Sequence, residues 1–379
     1  MAQNEFWQGN KAIAMGAIAA GCRYFGGYPI TPSTEIMEVM SEELPKLGGK
    51  FVQMEDEIGG IASALGASIA GKKAMTASSG PGISLKQELL GYGYIAEIPL
   101  VVADVQRGGP STGLPTKTEQ SDLVQALYGR NGECPVVVMA ASTPSDCFHF
   151  AFEAGRIAME HMTPVILLTD GFIANGSEPW RIPSMKDYPT IVPPIVDKAP
   201  EGGFMPYVRN EKLARGWAFP GKVGLEHRVG GLEKDSVKGS ISHDPANHQK
   251  MVQTRQAKID KIADYIPEVQ VVGDEDADLL IVGWGGTYGH LYEAMEDMQA
   301  QGKKVALAHF KFINPLPKNT AEVLGRYKKV VVAEQNNGQF ANYLRGKVPG
   351  FEPYQFNRVK GQPFVVARLV EEFTKILEA

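Results

Sequence analysis

The sequence predicts an α/β protein, a doubly wound parallel sheet followed by a smaller α/β unit. Three observations carry that prediction. Between residues 10 and 176 short apolar runs alternate with longer stretches of helical spacing, the pattern that successive βαβ units produce. Several runs, such as Val136-Val-Val-Met139 and Val165-Ile-Leu-Leu168, are apolar at every position, as strands covered by helices on both faces must be. After residue 183 the alternation stops, and it resumes only beyond residue 265.

The candidate strands of the first unit (1–183) are 24–28, 51–54, 73–77, 99–105, 135–140 and 164–169. Helical stretches at 33–44, 58–70, 85–96 and 145–160 fall between them. Residues 184–264 form a connector rich in Pro and Gly that ends in a charged helix near 245–263. So long a stretch without periodicity is expected to drape over a surface or a subunit interface. The second unit (265–379) has candidate strands at 278–282, 304–309 and 329–334 and a closing amphipathic helix over 364–377.

Composition narrows the function classes. Apolar residues are 44% and charged residues 21% of a 379-residue chain, enough for two buried cores. Net charge is -5, without a basic cluster to track a phosphate backbone, so nucleic acid is not an expected partner. No apolar run approaches the roughly 20 residues of a membrane span. The start Met1-Ala-Gln-Asn-Glu5 carries no basic segment followed by an apolar one, so the expected location is cytoplasmic. Cys22, Cys134 and Cys147 are scattered, with no C-x-x-C. Neither a disulfide framework nor a zinc or iron–sulfur site is expected from this chain, and any electron carriers sit elsewhere.

The motifs each admit two readings. Gly283-Trp-Gly-Gly-Thr-Tyr-Gly289 follows a strand and opens a helix, where glycines can admit a pyrophosphate. Its third glycine falls one position late and no acid ends the next strand, at His309-Phe-Lys-Phe312; a plain strand–helix turn is the preferred reading. Ser78-Ser-Gly-Pro-Gly82 is either a helix entry or an anion site. Gly26-Gly-Tyr-Pro-Ile-Thr-Pro-Ser-Thr-Glu35 sits at the carboxyl end of the first strand, where open α/β sheets hold ligands. Two prolines stiffen it, and Thr31 and Ser33 offer hydroxyls, although Pro32-Ser33 also suits a helix start. Gln53-Met-Glu-Asp-Glu-Ile-Gly-Gly60 brings three acids to the next loop, either to favour a helix N-terminus or to aim one carboxylate at a cofactor ring. Gln106-Arg-Gly-Gly-Pro-Ser-Thr-Gly-Leu-Pro-Thr-Lys-Thr118 combines two cations, hydroxyls and rigid turns. Such a loop suits a carboxylate or phosphate, with Arg107 able to grip it through two parallel bonds.

Together, Tyr28-Pro-Ile-Thr-Pro32, Glu55-Asp-Glu-Ile-Gly59, Ser78-Ser-Gly-Pro-Gly82 and Arg107-Gly-Gly-Pro-Ser-Thr-Gly-Leu-Pro115 resemble the alpha subunits of 2-oxoacid:ferredoxin oxidoreductases. The likeness continues through Gly231-Leu-Glu233, His243-Asp-Pro245, Gly283-Trp-Gly-Gly286, Asn314-Pro-Leu-Pro317 and Glu334-Gln-Asn-Asn-Gly-Gln339, and so covers nearly the whole chain. It implies a thiamine pyrimidine-type domain, the connector, and a transketolase C-terminal-like domain. It also implies roles: Glu57 bonds the aminopyrimidine of thiamine diphosphate and favours its imino form, which can deprotonate the thiazolium carbon. Thr31, with Ser33 beside it, and Arg107 meet the substrate carboxylate, and Lys117 is a second cation for a dicarboxylate. Glu55 and Asp56 are left as loop charge.

What the chain lacks fits a subunit role. The family's Gly-Asp-Gly motif for magnesium and the diphosphate is absent, since Gly273-Asp-Glu275 lacks the second glycine. The implied partners are a beta subunit carrying thiamine diphosphate, Mg2+ and iron–sulfur clusters, a gamma subunit and a ferredoxin-like subunit. The implied reaction converts 2-oxoglutarate, CoA and oxidised ferredoxin to succinyl-CoA, CO2 and reduced ferredoxin, or runs in reverse. The same enzyme class acting on a branched-chain 2-oxoacid or pyruvate is the nearest alternative. A nucleotide-dependent dehydrogenase is disfavoured by the failed glycine spacing, and a non-catalytic scaffold would not need Glu57 and Arg107 aimed at one site.

Overall fold

A computed structural model describes residues 4–379; Met1, Ala2 and Gln3, part of the amino-terminal reading above, lie outside the described residues. The first unit runs β1 (Asn4–Gln8), α1 (Gly9–Ala19), β2 (Tyr24–Gly27), α2 (Thr34–Lys46), β3 (Lys50–Gln53), α3 (Glu57–Ile69), β4 (Ala74–Ser78) and α4 (Gly80–Ile95). It continues through β5 (Leu100–Gln106), α5 (Leu123–Tyr128), β6 (Val137–Ala140), α6 (Asp146–His161), β7 (Pro164–Asp170), α7 (Gly171–Asn175) and β8 (Ser177–Arg181). After the connector come α8 (Pro245–Lys261), β9 (Val271–Gly273), β10 (Leu279–Trp284), α9 (Tyr288–Ala300), β11 (Val305–Phe310) and β12 (Phe312–Asn314). The chain closes on α10 (Thr320–Arg326), β13 (Val330–Glu334), α11 (Gln339–Lys347), β14 (Tyr354–Asn357) and α12 (Val366–Glu378).

The larger sheet has the order β12-β6-β7-β5-β4-β2-β3. Its strands β2 to β7 pair in parallel. With α1 against α2 and α6 and with α3 against α4, helices cover both faces, and β5 and β7 are buried at every position. That is why those runs read as continuously apolar. The expectation of a purely parallel sheet is corrected at one edge. β12 belongs to the second unit in sequence but pairs antiparallel with β6. Lys311 O accepts from Ala140 N at 2.8 Å, and Asn314 Nδ2 donates to Val136 O at 2.6 Å. Three residues show no alternation, so only the long-range pairing reveals this strand.

The smaller sheet has the order β14-β13-β10-β11-β9, with β9 antiparallel. In β10 the pleat sends Leu279 and Ile281 into a core with α9 and α12, and Leu280, Val282 and Trp284 into the core of the first unit. One continuous core therefore crosses from the larger sheet to one face of the smaller.

The connector lies over the carboxyl ends of α3, α4 and α6. Trp217 Nε1 donates to Ser68 O at 3.2 Å, and Arg215 Nε donates to Ala96 O at 3.2 Å. Glu97, fully buried, accepts from Lys258 of α8 at 2.6 Å and from Arg209 at 2.7 Å. Burial alone pushes the Glu97 carboxyl up; Lys258 and Arg209 overcome that and hold it well below the usual carboxylate range. Helices α3, α4 and α6 run opposite to their strands, so the connector sheathes the edge away from the strands' carboxyl ends. Among the described residues no helix is long and apolar enough to cross a membrane.

Candidate active site

Because β3, β2, β4 and β5 are neighbours, the loops singled out in the sequence stand side by side at the carboxyl edge. Glu57 opens α3, but it does not cap it. The neighbouring Asp56 is the N-cap and accepts from Gly59 N at 2.7 Å, so Asp56 does helix chemistry and leaves Glu57 free. Glu57 is 8% exposed, and no donor among the described residues bonds its carboxylate. It lies against α4 at Gly82, where a Cβ would come within 2.8 Å of Glu57 Cγ and 2.0 Å of Ser78 Oγ. Only glycine lets that helix start approach so closely. Beneath it, fully buried Lys86 donates to Glu57 O at 3.0 Å; burial pushes this lysine down to about 8, with the Glu57 charge opposing. The Ser78 and Ser79 hydroxyls are buried and have no partner among the described residues. A buried carboxylate and two hydroxyls without partners suit the polar edge of a bound heterocycle, since such groups are seldom left unsatisfied. The residues present therefore fit a thiamine aminopyrimidine.

Arg107 is 7% exposed and donates through Nη1 to Thr31 O at 2.7 Å, while its Nε has no partner among the described residues. The structure thus joins the two loops, with exposed Thr31 beside the guanidinium. Arg107 lines a cleft of about 690 Å³ that begins at Gly80 and Pro81 of α4 and is closed on its far side by Asn337, Gln339 and Val359. Glu57 and the Arg107 cleft accordingly share the amino end of one helix. Ser33 is turned away: it is buried, and its hydroxyl donates to Ile30 O at 2.9 Å, bracing the loop. Lys117 is the larger departure from the sequence reading. The loop folds back so that Gly108 N donates to Lys117 O at 2.9 Å. The lysine backbone returns beside Arg107, but its side chain is exposed, its stem lies against Gly361, and it is not among the residues lining the cleft.

Two acids that sequence reasoning missed stand at the cleft, which Asp122 lines. Asp104, fully buried in β5, has no partner for either oxygen among the described residues. Asp122 lies over Gly80, where a Cβ would be 2.7 Å from its Oδ1, and its Oδ2 is unpartnered. Burial, then Glu119, pushes Asp122 up to about 7 against the pull of Arg107. Burial and Asp122 raise Asp104 well above the ordinary range. Protonated, Asp122 does not repel an anion bound by Arg107. The signal was available, because Asp104 is an acid inside the apolar run Leu100–Gln106, a placement tolerated mainly for function.

The glycine turn after β10 has a role of its own. A Cβ on Gly286 would sit 2.0 Å from Asp170 Oδ2, a carboxylate of the first unit that also accepts from Thr118, Phe172 and Ile173. The anion at this helix entry is a side chain of the same protein, which agrees with the preference against a dinucleotide site.

Residues 15–243 match the family model for the thiamine diphosphate-binding part of pyruvate flavodoxin/ferredoxin oxidoreductase, and residues 268–341 match the transketolase C-terminal domain. A 2-oxoglutarate oxidoreductase subunit KorA of Mycobacterium tuberculosis is 50% identical over 98% of this chain, and a 2-oxoglutarate synthase subunit KorA of Methanothermobacter marburgensis is 38% identical over 89% of it. The chain belongs to the alpha-subunit family of 2-oxoacid:ferredoxin oxidoreductases. It spans 90% of the length of the methanogen family member but 56% of the mycobacterial one. A solved family member, 2-oxoglutarate:ferredoxin oxidoreductase from Magnetococcus marinus with 2-oxoglutarate, coenzyme A and succinyl-CoA bound, superposes with a TM-score of 0.95 at 37% identity. That match covers 99% of this chain and 66% of the other.

Proposed function

We propose that this chain is the alpha subunit of a cytoplasmic, multi-subunit 2-oxoglutarate:ferredoxin oxidoreductase that forms succinyl-CoA and CO2 from 2-oxoglutarate and CoA, or runs in reverse. Residues 1–183 serve as the pyrimidine-side domain, 184–264 as the connector, and 265–379 as the transketolase C-terminal-like domain. The observation that carries the reading is a buried Glu57 carboxylate, without an internal donor, at the same helix start as the Arg107 cleft. The chemistry supplied by bound thiamine diphosphate is a carbon nucleophile for the 2-oxoacid carbonyl and a sink for the electrons released with CO2. Glu57 accepts a hydrogen bond from the aminopyrimidine and holds or returns a proton at its carboxylate. Arg107, braced by Thr31 O, receives the substrate's carboxylate through its remaining N–H groups. Thr31 stands beside that carboxylate, and Ser33 stiffens the loop. The distal carboxylate of 2-oxoglutarate needs a further cation. Lys117 is exposed and outside the cleft lining, which favours a second cation from a beta subunit. That subunit also brings Mg2+ and iron–sulfur clusters; gamma and ferredoxin-like subunits complete the assembly.

Glu57→Gln tests this. In the complex assembled with its beta subunit, turnover of 2-oxoglutarate should fall by roughly 10²–10⁴-fold while assembly is unchanged. A variant within about a factor of two of wild type would remove the support for Glu57.

A further inference from the structure

Gln120 stands at the end of the loop that Arg107 begins, and it is fully buried. Among the described residues, all of its bonds run to the second unit. Its Nε2 donates to Trp284 O at 2.7 Å, and its Oε1 accepts from Gln335 N at 3.0 Å. Its backbone N donates to Gln335 O at 3.1 Å, and its backbone O accepts from Asn336 Nδ2 at 2.8 Å. The seam continues beyond it: Gln339 Nε2 donates to Ser121 O at 2.9 Å, and Gln339 Oε1 accepts from Val124 N at 3.0 Å. The same Gln339, with Asn337, walls the cleft opposite Arg107.

The second unit is therefore one wall of the cleft, and the seam at Gln120 fixes the distance between the walls. The chemistry needs this side chain. Gln335 N requires an acceptor, and Trp284 O, which also accepts from Thr287 Oγ1 at 2.7 Å, takes a second donor; one buried amide supplies both. A carboxylate would face Trp284 O without a proton, and an apolar side chain would orphan Gln335 N and leave Trp284 O with Thr287 Oγ1 alone.

We propose that Gln120 is a positioning residue for the bound 2-oxoacid: it registers the Arg107 loop against residues 335–339, so that the cleft is already assembled when substrate arrives. The substrate named here rests on the functional reading above. The coupling itself rests on the hydrogen bonds.

Gln120→Met keeps the volume and removes the side-chain bonds, and it is tested in the complex assembled with the beta subunit. KM for 2-oxoglutarate should rise by about ten-fold, the scale of one lost buried hydrogen bond, with kcat within about two-fold. Amide hydrogen exchange should quicken together in 107–124 and 335–341, while β5 and β7 stay protected. Gln339→Met perturbs the same seam from a less buried position and should move both readouts in the same direction, which keeps the test open if Gln120→Met does not assemble. An unchanged KM in an active complex, or faster exchange confined to one of the two segments, would overturn the proposal. A wild-type complex with no 2-oxoacid turnover would sink the reading of the cleft instead, and the exchange result would still decide the coupling.

Discussion

Asp122 and Asp104 are carboxyls that keep a proton where most have lost it. Burial removes the water that would stabilise a charge; the charge of Asp122 adds to the rise at Asp104, and that of Glu119 to the rise at Asp122. The consequence for pH follows from linkage. With a folded-state value raised to about 7 for Asp122, the folded chain binds a proton that the unfolded chain releases near pH 4. The stabilising contribution is complete below that lower value and is lost as pH rises through about 7. Asp122→Asn needs no proton, so its stability relative to wild type should increase from about pH 5 to about pH 7, read by thermal melts. Parallel pH courses for the two proteins would count against the assignment. The acid was visible as a charge in an apolar strand, but its partner lies beyond the next loop, and nothing local announces that the two meet. Lys117 gives the complementary case. Ten positions from Arg107 along one loop suggested a shared ligand, but Arg107 lines the cleft while exposed Lys117 lays its stem against Gly361.

Among the elements, the turn between β10 and α9 separates two glycines that look alike in sequence. At Gly286 a Cβ would lie 2.0 Å from a carboxylate that its other hydrogen bonds hold in position, whereas at Gly289 nothing stands within 4 Å. Gly286→Ala should therefore cost about 1–3 kcal/mol by overpacking. Gly289→Ala, in a helix, should be neutral or stabilising by up to about 1 kcal/mol. Chemical denaturation of both variants checks the contrast, and equal effects would show that Asp170 does not dock there. The strands of both units were legible because burial on two faces leaves an apolar run, and α2, α3, α4 and α6 because their spacing repeats. Short elements escaped. β1 and β8 pair only with each other, β12 completes a sheet from more than a hundred residues away, and neither arrangement leaves a local pattern.

For the whole molecule, a core that crosses from the larger sheet through Leu280, Val282 and Trp284 ties the units into one cooperative body. Calorimetry should record a single unfolding transition whose van't Hoff and calorimetric enthalpies agree. Two resolved transitions would mean that the units unfold apart. The sequence by itself determined the fold class, the carboxyl-edge loops and the candidate Arg107, because the burial period of a strand and the chemistry of a turn are set by neighbours in the chain; the family resemblance singled out Glu57 among three acids. Only the tertiary structure decided that Lys117 lies outside the cleft lining, that Asp56 caps so that Glu57 is free, and that the glycine turn receives Asp170. It alone made the second unit a wall of the cleft through Gln120. Those outcomes depend on hydrogen bonds and contacts whose partners are mostly far apart in sequence, and only chain closure brings them together.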